Sequence, residues 1–332
     1  AAHAFAIAAE TGATIERVAH HHAHFAACLG ENGVPLGAPA MFGLVLDGTG
    51  VGLDDTSSWG AELLVGGYAE VRRVATLKPI ALLGGDRAAR EPWRCLYAHL
   101  RAEMAWGELL ANFGDVDVIA RLRAKPVELL DQMLAGGVGA PRASSGGRLF
   151  DAVAAALDLC FEAQDHEAQA ATMLESLVTD AALAQALQER EADEVYPLSV
   201  PTLAGGLPYI EPLGLWRALL GDLATGVAPS LVAARFHVAL GLGLAKLCAR
   251  QAEVLGDAAP RQVALSGGCF QNAVLHTRTT AELERCGFEV LSHAEVPTHD
   301  GGLAFGQALV ALARIARSPC GGGEPPRGGE DI

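Results

Sequence analysis

The sequence lacks a hydrophobic run long enough to cross a membrane. Its most apolar stretch, VALGLGLAKLCA at 238–249, is short and contains Lys246, whereas a spanning helix needs about 20 apolar residues. The first residues, AAHAFAIAAETG, lack a basic leader and a sufficient hydrophobic run, so we expect no secretory signal. These two features predict a cytoplasmic protein that does not use a membrane.

Positive charge is also scarce. The chain has 332 residues with 24 Lys and Arg against 39 Asp and Glu, a formal net charge of −15. A general nucleic-acid binder needs clustered basic side chains to contact phosphates. The charge balance therefore predicts no nucleic-acid partner.

Regular cysteine motifs are missing as well. The seven cysteines include no CxxC pair and have no regular spacing. An odd, scattered set argues against a disulfide framework and favours reduced thiols, most of them buried. We expect Cys269 to be a packing residue.

The chain does contain alternating strand and helix patterns, which predict an α/β fold. We expect strands at 14–20, 41–50, 61–67, 69–76 and 288–292, and at the start of 261–272, where a glycine turn and a helix start follow. Helices are expected at 2–10, from the histidine cluster to about residue 30, over most of 91–190 with a loop at 136–148, at 228–255, and at the end of 297–316. The composition of 317–332 predicts disorder.

Four histidines occupy five consecutive positions, His20, His21, His22 and His24. On a helix, residues four apart share a face, so His20 and His24 can point at one ion while the other two point elsewhere. The position after His20 is histidine and not glutamate, which argues against a zinc protease. Two readings remain open here, a metal site and a polar helix start with satisfied imidazoles.

Glycine turns follow three predicted strands, at 47–50, 266–272 and 300–302. Ligands of α/β proteins collect at such turns, and a helix that starts there offers free N–H groups to an anion. Asp47 could then be a ligand, with the N–H groups of 48–50 near an anion. Taken alone, the turn at 47–50 fits a plain structural turn better, and each of the other two fits one about equally well.

Taken in order, the motifs closely resemble the C-terminal carbamoyltransferase module of HypF-type maturation proteins of nickel–iron hydrogenases. The resemblance covers roughly residues 3–316. The motifs that carry it are VAHHHAH (18–24), LDGTG (46–50), WGAE (59–62), GGDRAAREPWR (84–94), SSGGRLFDAVAA (144–155), HEAQAA (166–171), ARFH (234–237), LSGGCFQN (265–272) and HDGGLAFGQ (299–307).

The resemblance implies the TsaD-like fold shared by actin, sugar kinases and heat-shock ATPases. Because the chain starts one helix before the histidines, we expect a truncated first lobe. Residues 1–36 would be its remnant with the His-x-x-x-His helix, 37–316 the second lobe with the nucleotide and metal loops, and 317–332 a disordered tail.

The resemblance also implies a site. Iron or zinc would be held by His20, His24, Asp47 and Asp300, which would be the catalytic residues, and magnesium is a further candidate ion. ATP or carbamoyl adenylate would be bound by a second group of residues, namely Gly48, Gly147, Asp151, Gly267, Gly268 and Asn272. His299 replaces the family's usual asparagine, either as an added ligand or as a pocket wall, and His166-Glu167-Ala168-Gln169 replaces YEGQ.

The implied reaction transfers a carbamoyl group from carbamoyl adenylate to the C-terminal cysteine thiolate of HypE, the precursor of the hydrogenase cyanide ligand. An adenylate-forming YrdC-like module, in cis or in trans, would supply the donor. Two alternatives remain. One is carbamoyl or threonylcarbamoyl transfer to a small molecule or tRNA, and the other is a catalytically silent ATP-binding scaffold.

Overall fold

The structure is a computed structural model that describes residues 2–52, 58–202 and 206–317. The predicted disordered tail, 317–332, lies outside these ranges except for Arg317, which ends the last helix. The α/β class predicted from the sequence is confirmed.

A central mixed sheet organises the molecule. From edge to edge its strand order is β4-β5-β2-β1-β7-β8, and β3 pairs with β2 and β6. β1 is antiparallel to β2 and parallel to β7, which is parallel to β8. The strands are β1 (Met41–Val51), β2 (Ser58–Gly66), β3 (Val71–Leu77), β4 (Ile80–Ala81), β5 (Arg142–Ala143), β6 (Tyr209–Ile210), β7 (Gln262–Ser266) and β8 (Glu289–Leu291).

Helices pack against the sheet and against one another. They are α1 (Ala2–Thr11), α2 (His20–Glu31), α3 (Asp86–Arg90), α4 (Pro92–Glu103), α5 (Trp106–Phe113), α6 (Asp117–Arg123), α7 (Val127–Gly136), α8 (Gly146–Ala156), α9 (Gln169–Ser176), α10 (Asp180–Glu191), α11 (Leu213–Thr225), α12 (Pro229–Leu255), α13 (Ala273–Arg285) and α14 (Leu303–Arg317). Short 3₁₀ turns occupy Gly256–Ala258, Gly268–Gln271 and Asp300–Gly302.

The histidine helix α2 is packed into the core. Its Phe25 and Leu29 are buried with side chains of β1, β7 and α14. Two glycines allow this close approach: a Cβ on Gly43 would lie 2.6 Å from the Phe25 ring, and one on Gly306 would lie 1.9 Å from the Ala23 carbonyl oxygen. α2 therefore packs in one core with β1, β7 and α14, which all follow residue 36 in the sequence. The predicted division of the chain into two lobes at residue 36 stays a prediction.

The strand predicted at 14–20 is wrong. Residues 12–19 have no regular secondary structure, and α2 begins at His20. Most of this segment is exposed and pairs with no strand of the sheet, so the alternating pattern has no ladder to join. The other strands expected from the sequence form within a few residues of their predicted positions.

Within the described ranges, one helix is long and apolar enough to cross a membrane, over Pro229–Ala258, and it contains α12. Its most apolar window is 78% buried inside the protein. This is the behaviour of a core helix, and its neighbours are α10 and α13.

Candidate metal centre and nucleotide loops

The first turn of α2 places two imidazoles side by side. Ala19 has an extended backbone and α2 starts at His20, so His20 and His24 lie one turn apart. Their Nε2 atoms are 3.2 Å apart. His21 and His22 point elsewhere and donate to the carbonyl oxygens of Gly60 and Gly67. The helical spacing predicted that they point away from the pair, and both side chains are buried.

Asp47 reaches the same point from within β1, which continues as a strand through the turn predicted at 47–50 and ends at Val51. Its pairing with β2 is irregular between Leu46 and Gly50. Its Oδ2 lies 2.7 Å from Nε2 of His20 and 3.3 Å from Nε2 of His24. Its Oδ1 accepts the N–H of Gly48 at 2.8 Å. Burial opposes ionisation of this carboxyl, but the hydrogen bonds from both histidines hold its pKa well below the usual range. Burial likewise opposes protonation of His20, and Asp47 outweighs it, so the pKa of His20 is raised.

Asp300 completes the cluster from the 3₁₀ turn before α14. Its Oδ1 lies 3.5 Å from Nε2 of His20 and 3.4 Å from Nε2 of His24. The side chain is 69% exposed, so the cluster opens to solvent on this side. His299 accepts the N–H of Gly301 through Nδ1 and belongs to the turn itself.

The four donor atoms fit one metal ion. They lie within 4.8 Å of one another, and the five measured separations run from 2.7 to 3.5 Å. Ligands about 2.1 Å from a tetrahedral zinc ion are separated by about 3.4 Å. Two nitrogens and two carboxylate oxygens suit a borderline first-row metal.

Four of the predicted nucleotide-binding glycines lie against this cluster. A Cβ on Gly147 would be 3.1 Å from the Cα of Gly48, and one on Gly268 would be 3.1 Å from Oδ1 of Asp47. Gly267 has a φ of +98°, and its Cβ would be 2.2 Å from the Leu46 carbonyl oxygen. The 47–48 segment of β1, the turn after β7 and the start of α8 therefore meet closely, with little room for a side chain at Gly147, Gly267 or Gly268.

The two other predicted nucleotide contacts lie deeper. Asp151 is 1% exposed and pairs with Arg148 at 2.8 Å, and burial raises its pKa to about 6. Asn272 caps α13 by accepting the N–H of Leu275 and donates to His237. These bonds give both side chains a structural role, and a direct nucleotide contact by either stays a prediction.

Sequence reasoning missed Ser145. Its hydroxyl donates to the Gly48 carbonyl oxygen and accepts the N–H of Arg148, so it caps α8 and joins that helix to β1. A serine before GGR is the signal of a helix cap, but the partner at Gly48 depends on the tertiary fold.

Cys269 lies beside the cluster without the chemistry of a nucleophile. Its Sγ would be 3.3 Å from a Cβ on Gly146. Burial, with the Asp47 charge, raises the pKa of its thiol far above the ordinary value. The packing role predicted for Cys269 agrees with this environment.

The arrangement defines an α/β protein with a two-histidine, two-aspartate cluster beside glycine turns, and comparison with known proteins places it. Residues 43–307 match the family model described as "Carbamoyltransferase, Kae1-like Domain, second subdomain". The chain is 42% identical to Carbamoyltransferase HypF of Rhodobacter capsulatus, over 94% of this chain and 38% of that protein. It is 39% identical to a Carbamoyltransferase HypF homolog of Cupriavidus necator, over 91% of this chain and 71% of that protein.

A solved structure agrees. Full-length HypF in its phosphate- and nucleotide-bound form superposes with a TM-score of 0.74 at 29% identity, over 91% of this chain and 36% of that one. The chain belongs to the HypF carbamoyltransferase family, a family of transferases. It spans 38% of the length of the Rhodobacter relative.

Proposed function

We propose that this chain transfers a carbamoyl group from carbamoyl adenylate to the C-terminal cysteine thiolate of HypE during maturation of nickel–iron hydrogenases. The observation that carries the proposal is the convergence of His20, His24, Asp47 and Asp300 beside glycine turns, in a chain of the HypF carbamoyltransferase family. The adenylate would come from a YrdC-like module in cis or in trans. The protein would act in the cytoplasm, as expected from the sequence.

The four side chains would hold iron or zinc. When bound, the ion would supply Lewis acidity that orients and polarises an oxygen of the substrate. The chain's own contribution is the preformed donor set: Asp47 is held ionised by His20 and His24, and Asp300 approaches from the solvent side. That open side is where substrate would enter.

The glycine turns would hold the phosphate and nucleoside of the adenylate. α8 is an 11-residue helix that begins at Gly146, and its first N–H groups and positive dipole end favour an anion. The carboxylate of Asp47 accepts the N–H of Gly48, which lies against Gly147. The metal cluster and the anion seat would thus share one segment of β1. The solved HypF structure is described as phosphate- and nucleotide-bound, which supports such a seat, and magnesium would accompany ATP.

The acceptor thiolate would come from outside the chain. The cysteine nearest the cluster, Cys269, is held protonated by burial, and a thiol in that state is a poor nucleophile. Attack by the HypE thiolate on the carbamoyl carbon would form the C–S bond and break the bond to phosphate. AMP would leave, and the thiocarboxamide formed would be the precursor of the cyanide ligand.

The test mixes the chain with HypE and carbamoyl adenylate and follows HypE by intact-mass and peptide mass spectrometry. We expect a carbamoyl increment on the terminal cysteine of HypE, lost when His24→Ala or Asp47→Asn replaces a cluster residue. Asp257→Asn, an exposed aspartate after α12, is the matched control and should retain the transfer.

The same assay separates the alternatives. A carbamoyl increment on tRNA or on a small amine, with none on HypE, would favour the second enzymatic function. Adenylate binding without transfer to any acceptor, unchanged by His24→Ala, would favour the silent scaffold.

A further inference from the structure

The last residue of the histidine helix anchors the loop that leads to Asp300. Glu31 ends α2, three turns after His20. Its Oε1 accepts the backbone N–H groups of Ala294 and Glu295, and its Oε2 accepts the Nδ1–H of His293 at 2.8 Å. One carboxylate therefore binds three donors of a loop more than 260 positions away in the sequence.

The ring of His293 carries this connection into the sheet. Because Nδ1–H donates to Glu31, Nε2 is free to accept, and it lies 2.9 Å from the hydroxyl of Ser266. Ser266 is the last residue of β7 and precedes Gly267 and Gly268. Burial lowers the pKa of His293, so the ring is neutral and keeps this tautomer.

The serine–histidine–glutamate order resembles the geometry of a hydrolytic triad, but burial decides against that chemistry. Ser266 is 0% exposed, and a nucleophile must meet its substrate. The hydroxyl instead serves to fix the imidazole. The network is therefore a structural brace between α2, β7 and the loop after β8.

Further bonds hold the loop at both ends. Near its start, the Asn32 side chain donates to the Ser292 carbonyl oxygen at 3.0 Å. Near its end, the Gly267 N–H donates to the Thr298 carbonyl oxygen at 3.0 Å. Asp300 follows two residues later and is 69% exposed, so the backbone of this loop, more than packing around its side chain, sets its position.

We infer that Glu31, His293 and Ser266 are positioning residues that hold Asp300 within reach of His20 and His24. α2 then serves the site twice: its first turn supplies two ligands, and its last residue fixes the loop that brings a third. The inference rests on the proposed metal centre and adds the residues that preorganise it. Mutation of residues that hold metal ligands in place commonly lowers metal affinity by about 10–100-fold.

The test measures zinc affinity of the purified chain by competition with a chromophoric chelator. We expect Glu31→Gln to weaken binding about tenfold or more. Ser266→Ala removes only one hydroxyl and should also weaken zinc binding. It replaces Glu31→Gln as the test variant if Glu31→Gln does not fold. The matched control is Glu282→Gln. It removes a buried carboxylate on α13 that accepts a hydrogen bond from Arg190 on α10. It should leave zinc affinity unchanged.

A double-mutant cycle shows whether Glu31 acts through Asp300. In an Asp300→Ala background, Glu31→Gln should have little further effect, because the ligand that it positions is absent. An equal loss in both backgrounds would overturn the inference, as would wild-type affinity for Glu31→Gln and Ser266→Ala. Failure of the wild-type chain to bind zinc, iron or cobalt would instead overturn the metal centre itself, and this inference with it.

Discussion

Replacing Gly50 with alanine should disable the metal centre without removing a ligand. Gly50 lies in β1 beneath the histidine helix. A Cβ there would be 2.5 Å from Cδ2 and 2.7 Å from Cγ of His20, and 2.9 Å from Cε1 of His21. Non-bonded carbon atoms in van der Waals contact are about 3.5 Å or more apart. The His20 ring must therefore move by about 1 Å to make room for the new Cβ.

That movement exceeds what the site tolerates. The His20–Asp47 contact is 2.7 Å, and an added 1 Å takes it beyond the hydrogen-bonding limit of about 3.2 Å. Metal–ligand distances are held to about 0.2 Å. We therefore expect Gly50→Ala to lower zinc affinity by about 10–100-fold, which corresponds to about 1.4–2.7 kcal/mol.

The assay is chelator competition, with thermal unfolding to verify that the variant folds. Gly37→Ala is the matched control: it is the same change in the turn before β1, and its Cβ would meet no atom within 4 Å. It should keep wild-type zinc affinity. Equal affinities for Gly50→Ala and Gly37→Ala would refute the steric reasoning.

Two further predictions concern stability. His99 is fully buried, and burial, followed by the Lys78 charge, lowers its pKa from 6.5 to about 3. Above pH 6.5 the ring is neutral in the folded and the unfolded chain, so the free energy of unfolding is at its full value. As pH falls from 6.5 towards 3, only the unfolded chain takes up the proton, and the free energy of unfolding decreases. In urea unfolding between pH 7 and 5, His99→Leu should reduce the pH dependence of the free energy of unfolding by up to about 1.4 kcal/mol per pH unit. The same pH dependence in the variant and the wild type would contradict this prediction. Gly306→Ala should lower the free energy of unfolding by about 2 kcal/mol, because its Cβ would lie 1.9 Å from the Ala23 carbonyl oxygen. Gly221→Ala, in an open part of α11, is the control and should be neutral or slightly stabilising. Equal free energies of unfolding for Gly306→Ala and Gly221→Ala would refute the packing argument.

Local patterns were enough to predict the main elements and the placing of His20 and His24 on one helix face. A helical spacing of four brings His20 and His24 to one face, and the glycine turn after β7 marks the ligand edge of the sheet. That Asp47 and Asp300 join them came from the order of motifs, since no local pattern links positions so far apart in the sequence.

The failures have a common physical cause, which is dependence on tertiary partners. Residues 14–20 alternate like a strand but have no neighbouring strand to pair with. Residues 47–50 were expected to form a turn, but pairing with β2 extends β1 to Val51. Ser145 and Glu31 went unnoticed because their partners, at Gly48 and at 293–295, are visible only in the folded chain.

The central claim is that two histidines and two aspartates form one metal centre. The most direct measurement is a crystal structure of the chain grown with zinc or iron, with anomalous scattering recorded at the metal edge. We predict one ion about 2.0–2.2 Å from Nε2 of His20 and His24 and from a carboxylate oxygen of Asp47 and Asp300. An ion bound elsewhere, or an empty cluster at saturating metal, would contradict the account.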